Sequence, residues 1–271
     1  MVFRNNPLSG ERIVFAPGRA ARRSAFGEES AERCPFCPGH ESDTPPELVR
    51  AGDPWRVRVF PNKYPPVDGA EVIVESPRHE AFHDIEHAQD VVRTYVERYR
   101  AHGEAAYVAV FKNEGKRAGA SIAHVHSQVI PLPFLPPRVE RELRGFAGAC
   151  PLCEPAGHVI RETATLRWLA PEASSFAYQQ WIVPKRHVAE MSGLDENELR
   201  ELASLLRDAS RAVQPLGAYN WMFVNFPGHP EAHGYVDIVP RLTALAGFEL
   251  GTGTFVEIID PAAAAARLRE T

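Results

Sequence analysis

The chain has 271 residues, with 30 lysines and arginines against 35 aspartates and glutamates and a formal net charge of −5. Its 44% hydrophobic and 24% charged content is ordinary for a soluble globular protein with room for a core and one or two domains. The acidic balance argues against a nucleic-acid partner. No apolar run approaches the roughly 20 residues a bilayer span requires, and no charged, apolar, small-residue succession opens the chain, so the cytoplasm is the expected location.

Residues 17–30 are rich in Gly, Arg and Ser, read as a loop, and carry Arg19 and Arg22. Cys34-Pro-Phe-Cys37 follows. In a reducing compartment a C-x-x-C pair reads as a metal or redox motif. A redox pair usually opens a helix, whereas this one lies in a Pro-rich turn, which favours metal. Strands are expected at 56–60 and 71–75, on either side of the turn Pro61-Asn62-Lys-Tyr-Pro65. The turn Ser76-Pro-Arg-His79 precedes a helix, because Val91, Val92, Tyr95, Val96 and Tyr99 recur at helical spacing. A strand at 107–112 leads into Asn113-Glu-Gly-Lys-Arg-Ala-Gly-Ala-Ser121, whose glycines allow backbone to approach a phosphate. Asn113, Ser121 and nearby amides could stabilise negative charge there. The next strand, at 126–131, follows His124 and contains His126 and Gln128.

The same succession then recurs. Cys150-Pro-Leu-Cys153 stands for the first cysteine pair, and Pro-Lys-Arg-His187 for the histidine turn. A strand is expected at 180–183. A helix carrying Leu199, Leu202, Leu205, Leu206, Ala209 and Val213 begins at a capping box of Asp195 and Glu198. Strands are expected at 221–225 and 235–239, the latter behind His233, and a short helix from Pro261. Cys37 and His79 lie 42 residues apart, Cys153 and His187 34; the steps on to His124 and His233 are 45 and 46. Four elements in one order at similar spacing indicate a duplication. The chain divides near residue 140 into halves 1–140 and 141–271. Each is an α+β unit with short strands, one main helix and a returning strand.

Each half also carries one complete set of ligands for a tetrahedral metal: Cys34, Cys37, His79 and His124 in the first, Cys150, Cys153, His187 and His233 in the second. Two Cys and two His suit structural Zn2+, closed by protein ligands, so two zinc sites per chain are expected. Alternate strand residues share a face, so His124, His126 and Gln128 point one way and Val125, Ser127 and Val129 the other. A zinc on His124 leaves His126 beside it as a neutral imidazole competent to attack phosphorus, given an acceptor for its far N–H. Gln128 can donate to a phosphate oxygen or leaving group. In the second half the matching residues are His233, Tyr235 and Asp237: the metal position is kept and the reactive ones are replaced.

Cys-Pro-Phe-Cys-Pro-Gly-His-Glu (34–41), Pro61-Asn-Lys-Tyr-Pro65, Ser76-Pro-Arg-His79, the 113–121 segment, His124-Val-His-Ser-Gln128, Pro184-Lys-Arg-His187 and Gly247-Phe-Glu-Leu-Gly-Thr-Gly253 run in the order seen in galactose-1-phosphate uridylyltransferases. The chain resembles that family of the histidine-triad superfamily, with its ADP-glucose phosphorylase-like relatives, along nearly its whole length. The resemblance implies two tandem histidine-triad-like units forming a pseudo-symmetric pair of antiparallel sheets, and a ping-pong reaction through a nucleotidyl-His126 intermediate. His126 matches the nucleophile and Gln128 the leaving-group residue, with Ser121 alongside. Asn62 matches the nucleotide-binding turn, Asn113 a phosphate-side contact, and Arg19 and Arg22 the N-terminal phosphate-binding arginines. Phe248 and Glu249 match the segment that holds the hexose, supplied in the family by the partner subunit, so a homodimer with shared active sites is implied.

The expected substrates are a nucleotide sugar, most simply a UDP-hexose, and a sugar 1-phosphate acceptor. Val125 stands where uridylyltransferases usually carry Pro, and Thr243 lies nearest to the position of their sugar-side Lys. The Gly247–Gly253 segment is equally like the ADP-sugar phosphorylase branch, in which inorganic phosphate is the acceptor. Dinucleoside polyphosphate phosphorolysis or hydrolysis is a more distant alternative, and a zinc-ribbon module that binds nucleotides without catalysis is the non-enzyme one.

Overall fold

Short segments of alternating apolar residues make the strands, and the sheet they form positions everything else. The computed structural model describes residues 2–8, 11–17, 34–154 and 157–270. A small hairpin of β1 (Val2–Asn5) and β2 (Arg12–Phe15) forms a separate two-stranded sheet. The first half then supplies β3 (Val49–Ala51), β4 (Val57–Pro61), β5 (Glu71–Val74), helix α1 (Ala88–Ala101), β6 (Tyr107–Glu114) and β7 (His126–Leu132), and helix α2 (Pro137–Leu143) runs across the expected division at residue 140. The second supplies β8 (Gly157–Glu162), β9 (Leu166–Pro171), β10 (Gln180–Pro184), α3 (Glu196–Val213), β11 (Tyr219–Val224), β12 (Tyr235–Pro240), α4 (Gly247–Thr252) and α5 (Pro261–Arg269).

Among the described residues ten strands join in one antiparallel sheet of order β3-β4-β5-β7-β6-β11-β12-β10-β9-β8. Read outwards from its centre, β6-β7-β5-β4-β3 and β11-β12-β10-β9-β8 repeat the same order, each with its long helix between the corresponding strands. The duplication in the sequence is therefore a pseudo-twofold in the fold, and its axis lies where β6 meets β11, with Tyr219 opposite Glu114 and Met222 opposite Phe111.

Helices α1 and α3 cover one face of the sheet. The predicted stripe of α1 (Val91, Val92, Tyr95, Val96, Tyr99) is buried throughout, as is that of α3. They pack on Val57, Val59, Ile73, Val125, Val129, Ile182, Trp221, Phe223, Val236 and Ile238 in one apolar cluster that runs beneath both halves. Each such side chain contributes about 1.5–3 kcal/mol on burial. The capping box opens α3 as expected: the Glu198 amide donates to Asp195 Oδ1 at 2.9 Å, and the Asp195 amide to Glu198 Oε2 at 2.8 Å. No helix among the described residues is long and apolar enough to cross a membrane.

Five strands went unpredicted: β1, β2, β3, β8 and β9. In β8 the alternation is broken by an irregularity between Val159 and Arg161. Along β9 nearly every residue is buried, so its period is hidden. The duplication itself points to β8 and β9, which occupy in the second half the places of β3 and β4.

Candidate active site and metal centres

Strand β7 lies between β5 and β6, with His126 opposite Val74 and Gln128 opposite both Val72 and Phe111. Period-two alternation turns Val125 and Val129 into the helix-side core and turns His126 and Gln128 to the other face. There they line a cavity of about 500 Å3 together with Phe36, Phe60, Asn62 and Ser121. His126 Nδ1 lies 2.7 Å from the carbonyl oxygen of His124. A carbonyl can only accept, so Nδ1 carries a proton, and in the neutral imidazole the lone pair is on Nε2. This is the far-nitrogen acceptor the sequence required, and it comes from the strand's own backbone. Asn62 Nδ2 lies 3.5 Å from Gln128 Oε1 and its own side-chain oxygen accepts the Tyr64 amide at 2.9 Å, so the turn is tied to the amide of Gln128.

Asn113 follows Phe111 on the same face, and its Oδ1 accepts from Asn220 Nδ2 of β11 at 2.8 Å. Asn220 also donates to the Ala118 carbonyl at 2.9 Å. The second half thus braces the loop that leads to Ser121. Gly115 and Gly119 hold positive φ values of 85° and 91°; a Cβ on Gly115 would meet Ala218 at 2.9 Å. The turn itself demands these glycines.

The two predicted ligand sets each gather. In each, the donor atoms lie within 4.8 Å of one another, and each group could hold a metal ion. His124 Nδ1 faces the Sγ atoms of Cys34 and Cys37 at 3.6 and 3.7 Å, while its Nε2–H donates to the Ser76 carbonyl at 2.7 Å. His187 repeats this: Nδ1 lies 3.2 Å from Cys153 Sγ, and Nε2–H donates to the Pro230 carbonyl at 2.9 Å. His233 Nδ1 sits 3.6 and 3.8 Å from Cys150 and Cys153. A backbone acceptor that fixes the tautomer of a histidine is what a metal-binding imidazole requires. Burial pushes the Cys34 thiol up to about 12 and the Cys153 thiol upward. Burial also holds His124 and His233 down to about 4, so both imidazoles are neutral at neutral pH.

Phe248 and Glu249 do not join His126. They belong to α4, where Phe248 is 54% exposed and Glu249 Oε2 caps its own helix by accepting the Ala246 amide at 2.9 Å. Arg19 and Arg22 lie outside the described residues. In the second half, Tyr235 and Asp237 of β12 occupy the places of His126 and Gln128. Arg138 of α2 reaches both, pairing with Asp237 Oδ2 at 2.6 Å and with the Tyr235 hydroxyl at 3.2 Å. Tyr235 donates to Glu142 at 3.0 Å, and Gln179 to Asp237 Oδ1 at 2.8 Å.

Sequence reasoning missed a buried polar group behind β7, on its helix side. Lys112 Nζ pairs with Glu75 Oε2 at 2.7 Å, and both side chains are fully buried. Glu75 Oε1 accepts from Tyr95 and Ser127. Burial, then the charge of Glu75, raises the Tyr95 hydroxyl well above its ordinary range and keeps it a donor. The signal was present: Glu75 and Lys112 each end an apolar strand run at an inward-facing position.

A family profile described as "Galactose-1-phosphate uridyl transferase, N-terminal domain" matches residues 58–136. The chain is 32% identical to an ADP-glucose phosphorylase of Arabidopsis thaliana, over 99% of this chain and 92% of that protein. It is 28% identical to a galactose-1-phosphate uridylyltransferase of Thermotoga maritima, over 100% and 98% of the two chains. The crystal structure of an Arabidopsis thaliana ADP-glucose phosphorylase with bound ADP-glucose superposes with a TM-score of 0.84 at 31% identity, covering 100% of this chain and 98% of that one.

Proposed function

The chain belongs to the galactose-1-phosphate uridylyltransferase family of nucleotidyltransferases, and on that premise we propose that it moves a nucleoside monophosphate from a nucleotide sugar to a phosphate-bearing acceptor through His126. The observation that carries the reading is the 2.7 Å bond from His126 Nδ1–H to the His124 carbonyl, which leaves Nε2 as the nucleophile beside the cavity. Nε2 attacks the α-phosphorus; the new N–P bond forms as the bond to the sugar 1-phosphate oxygen breaks. Gln128 donates to that leaving oxygen, and Ser121 and Asn113 face the phosphoryl oxygens as charge accumulates. The acceptor phosphate then attacks the nucleotidyl-histidine and frees the imidazole. Asn62 holds the nucleotide through its turn, and Arg19 and Arg22 add positive charge for the phosphates.

The metal in both ligand sets is Zn2+ in this reading. Zinc–sulfur and zinc–nitrogen bonds near 2.3 and 2.05 Å give a tetrahedral S···N edge of about 3.6 Å. The sulfur–nitrogen distances of 3.2 to 3.8 Å bracket that value. Bound zinc supplies structural cross-linking. In the first half it ties the Cys34–Cys37 turn, and with it Phe36, to His124 two residues before the nucleophile. Phe248, exposed on α4, and Glu249 beside it serve the hexose in the partner's site of a cytoplasmic homodimer.

The first reading is hexose 1-phosphate uridylyl transfer from a UDP-hexose. The second is ADP-sugar phosphorolysis with inorganic phosphate, favoured by the 32% identity to an ADP-glucose phosphorylase along 99% of the chain. Incubation with UDP-glucose, UDP-galactose or ADP-glucose, followed by intact-protein mass spectrometry, separates them. A UMP adduct supports the first and an AMP adduct the second. His126→Gly should form no adduct and keep its metal content. An adduct on that variant, or none on the parent chain with any of the three donors, would overturn the proposal.

A further inference from the structure

Catalytic alignment in this site is set from behind as well as from within the cavity. The register between β6 and β7 ends at Lys112 opposite Ser127, so His126 lies one residue beyond the last pair on that side. A carbonyl oxygen has two lone pairs, so it can take a side-chain donor beside its strand partner. Here Lys112 supplies it: Nζ lies 3.2 Å from the His126 carbonyl oxygen. The ammonium is aimed by Glu75 Oε2 at 2.7 Å and by Glu114 Oε2 at 3.3 Å, and it sits between the rings of Phe82 and Trp221 at 5.7 and 5.6 Å. Glu75 grips the same strand twice more, through its amide to the Val125 carbonyl at 3.2 Å and through its carboxylate to Ser127. Three successive residues, Val125, His126 and Ser127, are thereby held from the core side.

Such an arrangement is poorly explained as a source of stability. A buried ion pair is seldom better than an apolar pair of the same volume, and this one lies among Val, Phe and Trp side chains that could have closed over an apolar pair. What an apolar pair cannot do is hold the backbone oxygen of one particular residue. That residue carries the imidazole proposed as nucleophile, which also bonds the His124 carbonyl just before β7. We propose that Lys112 is a positioning residue for nucleotidyl transfer, fixing the His126 peptide through its carbonyl, with Glu75 as the counter-ion that aims it. The inference rests on His126 being the nucleophile. Displacement of a reacting group by about 1 Å can cost about 100-fold in rate, so the effect belongs in the chemical step and not in donor affinity.

The test uses the full-length, metal-loaded protein and whichever of UDP-glucose and ADP-glucose charges it. Lys112→Met leaves Glu75 buried without its cation and should lower both stability and rate. The double variant Glu75→Gln with Lys112→Met removes both charges at nearly constant volume. Its urea midpoint should return close to that of the parent. Its single-turnover rate of adduct formation on His126 should stay at least about tenfold low, with KM for the donor within about twofold. Glu75→Gln alone keeps an acceptor beside Nζ without its charge, and should slow adduct formation less than the double variant does. A double variant that recovers the parent rate along with its stability would overturn the inference and leave the pair as packing. A single Glu75→Gln that is as slow as the double would also overturn it, because charge balance and not the carbonyl bond would then be responsible. Failure of the parent chain to take any nucleotide would instead remove the reaction proposed above, and this inference with it.

Discussion

Removing the metal and lowering the pH should expose the strain that the ligand sets carry. His124 and His233 titrate near 4 in the folded chain, chiefly because they are buried, against about 6.5 for an exposed histidine. The unfolded chain therefore takes up protons first as the pH falls. The stability tied to each neutral imidazole is fully present above about pH 6.5 and is lost progressively between 6.5 and 4. At 1.36 kcal/mol per unit, each histidine accounts for about 3 kcal/mol over the whole window and about 2 kcal/mol by pH 5. The two sites lie in different halves and share no ligand, so the losses should add. About 4 kcal/mol by pH 5 is a large part of the roughly 5–15 kcal/mol that holds a typical domain folded. Metal-loaded protein should resist, because a ligated Nδ1 cannot take a proton until the ion leaves. Urea denaturation of chelator-stripped and metal-loaded protein at pH 7.5, 6 and 5 measures both curves. A stripped protein equally stable at pH 7.5 and 5 would refute the reasoning, as would a His124→Asn variant whose pH dependence matches that of its parent.

Two further outcomes bear on the proposed reaction. Gln128→Ala removes the donor facing the leaving oxygen and should lower kcat about 100-fold with metal content unchanged; steady-state kinetics within threefold of the parent would exclude that role. Cys34→Ser and Cys153→Ser should each leave one metal ion per chain by atomic absorption, but only Cys34→Ser should slow adduct formation, because His233 anchors no strand of the reacting half. Equal slowing by both would mean that the metal acts through global stability.

Strand β7 was legible because its candidate chemistry is written in period two. His124, His126 and Gln128 fall on one face, and the candidate metal ligands come as a repeated set with no cysteine left over. Repetition also revealed the pseudo-twofold, since four elements recur in order. What stayed hidden depends on chain neighbours far apart in sequence. The Asn113–Asn220 bond spans 107 residues and the Lys112–Glu75 pair 37, and no local pattern announces either partner. The acceptor for His126 Nδ1 was anticipated as a need, but not as the carbonyl two residues back, because backbone geometry at a strand's fraying end does not show in residue types. Phe248 and Glu249 were read from a motif, and a single chain leaves them on its surface.

In the proposed reading the candidate metal site and the chemistry are separable. Both keep the two-Cys, two-His frame, and they differ two residues after the last histidine, where one carries His126 and the other Tyr235. The second half has its own cavity of about 610 Å3 on the same face of the sheet, with Tyr235 and Asp237 in its lining. Space is therefore not what it lacks. What differs is the charge beside the Tyr235 hydroxyl: Arg138, which bonds both Tyr235 and Asp237, is engaged by Asp237 and Glu142, and the Glu142 carboxylate lies against the Tyr235 hydroxyl. A histidine placed at 235 would meet that carboxylate, which favours the protonated, non-nucleophilic imidazolium. Tyr235→His should thus leave the protein with one nucleotidyl group per chain, on His126, by peptide mapping after incubation with a charging donor. A second adduct on the peptide containing residue 235 would show that the imidazole alone was missing, and that the surrounding charges have no part in confining the reaction to one half.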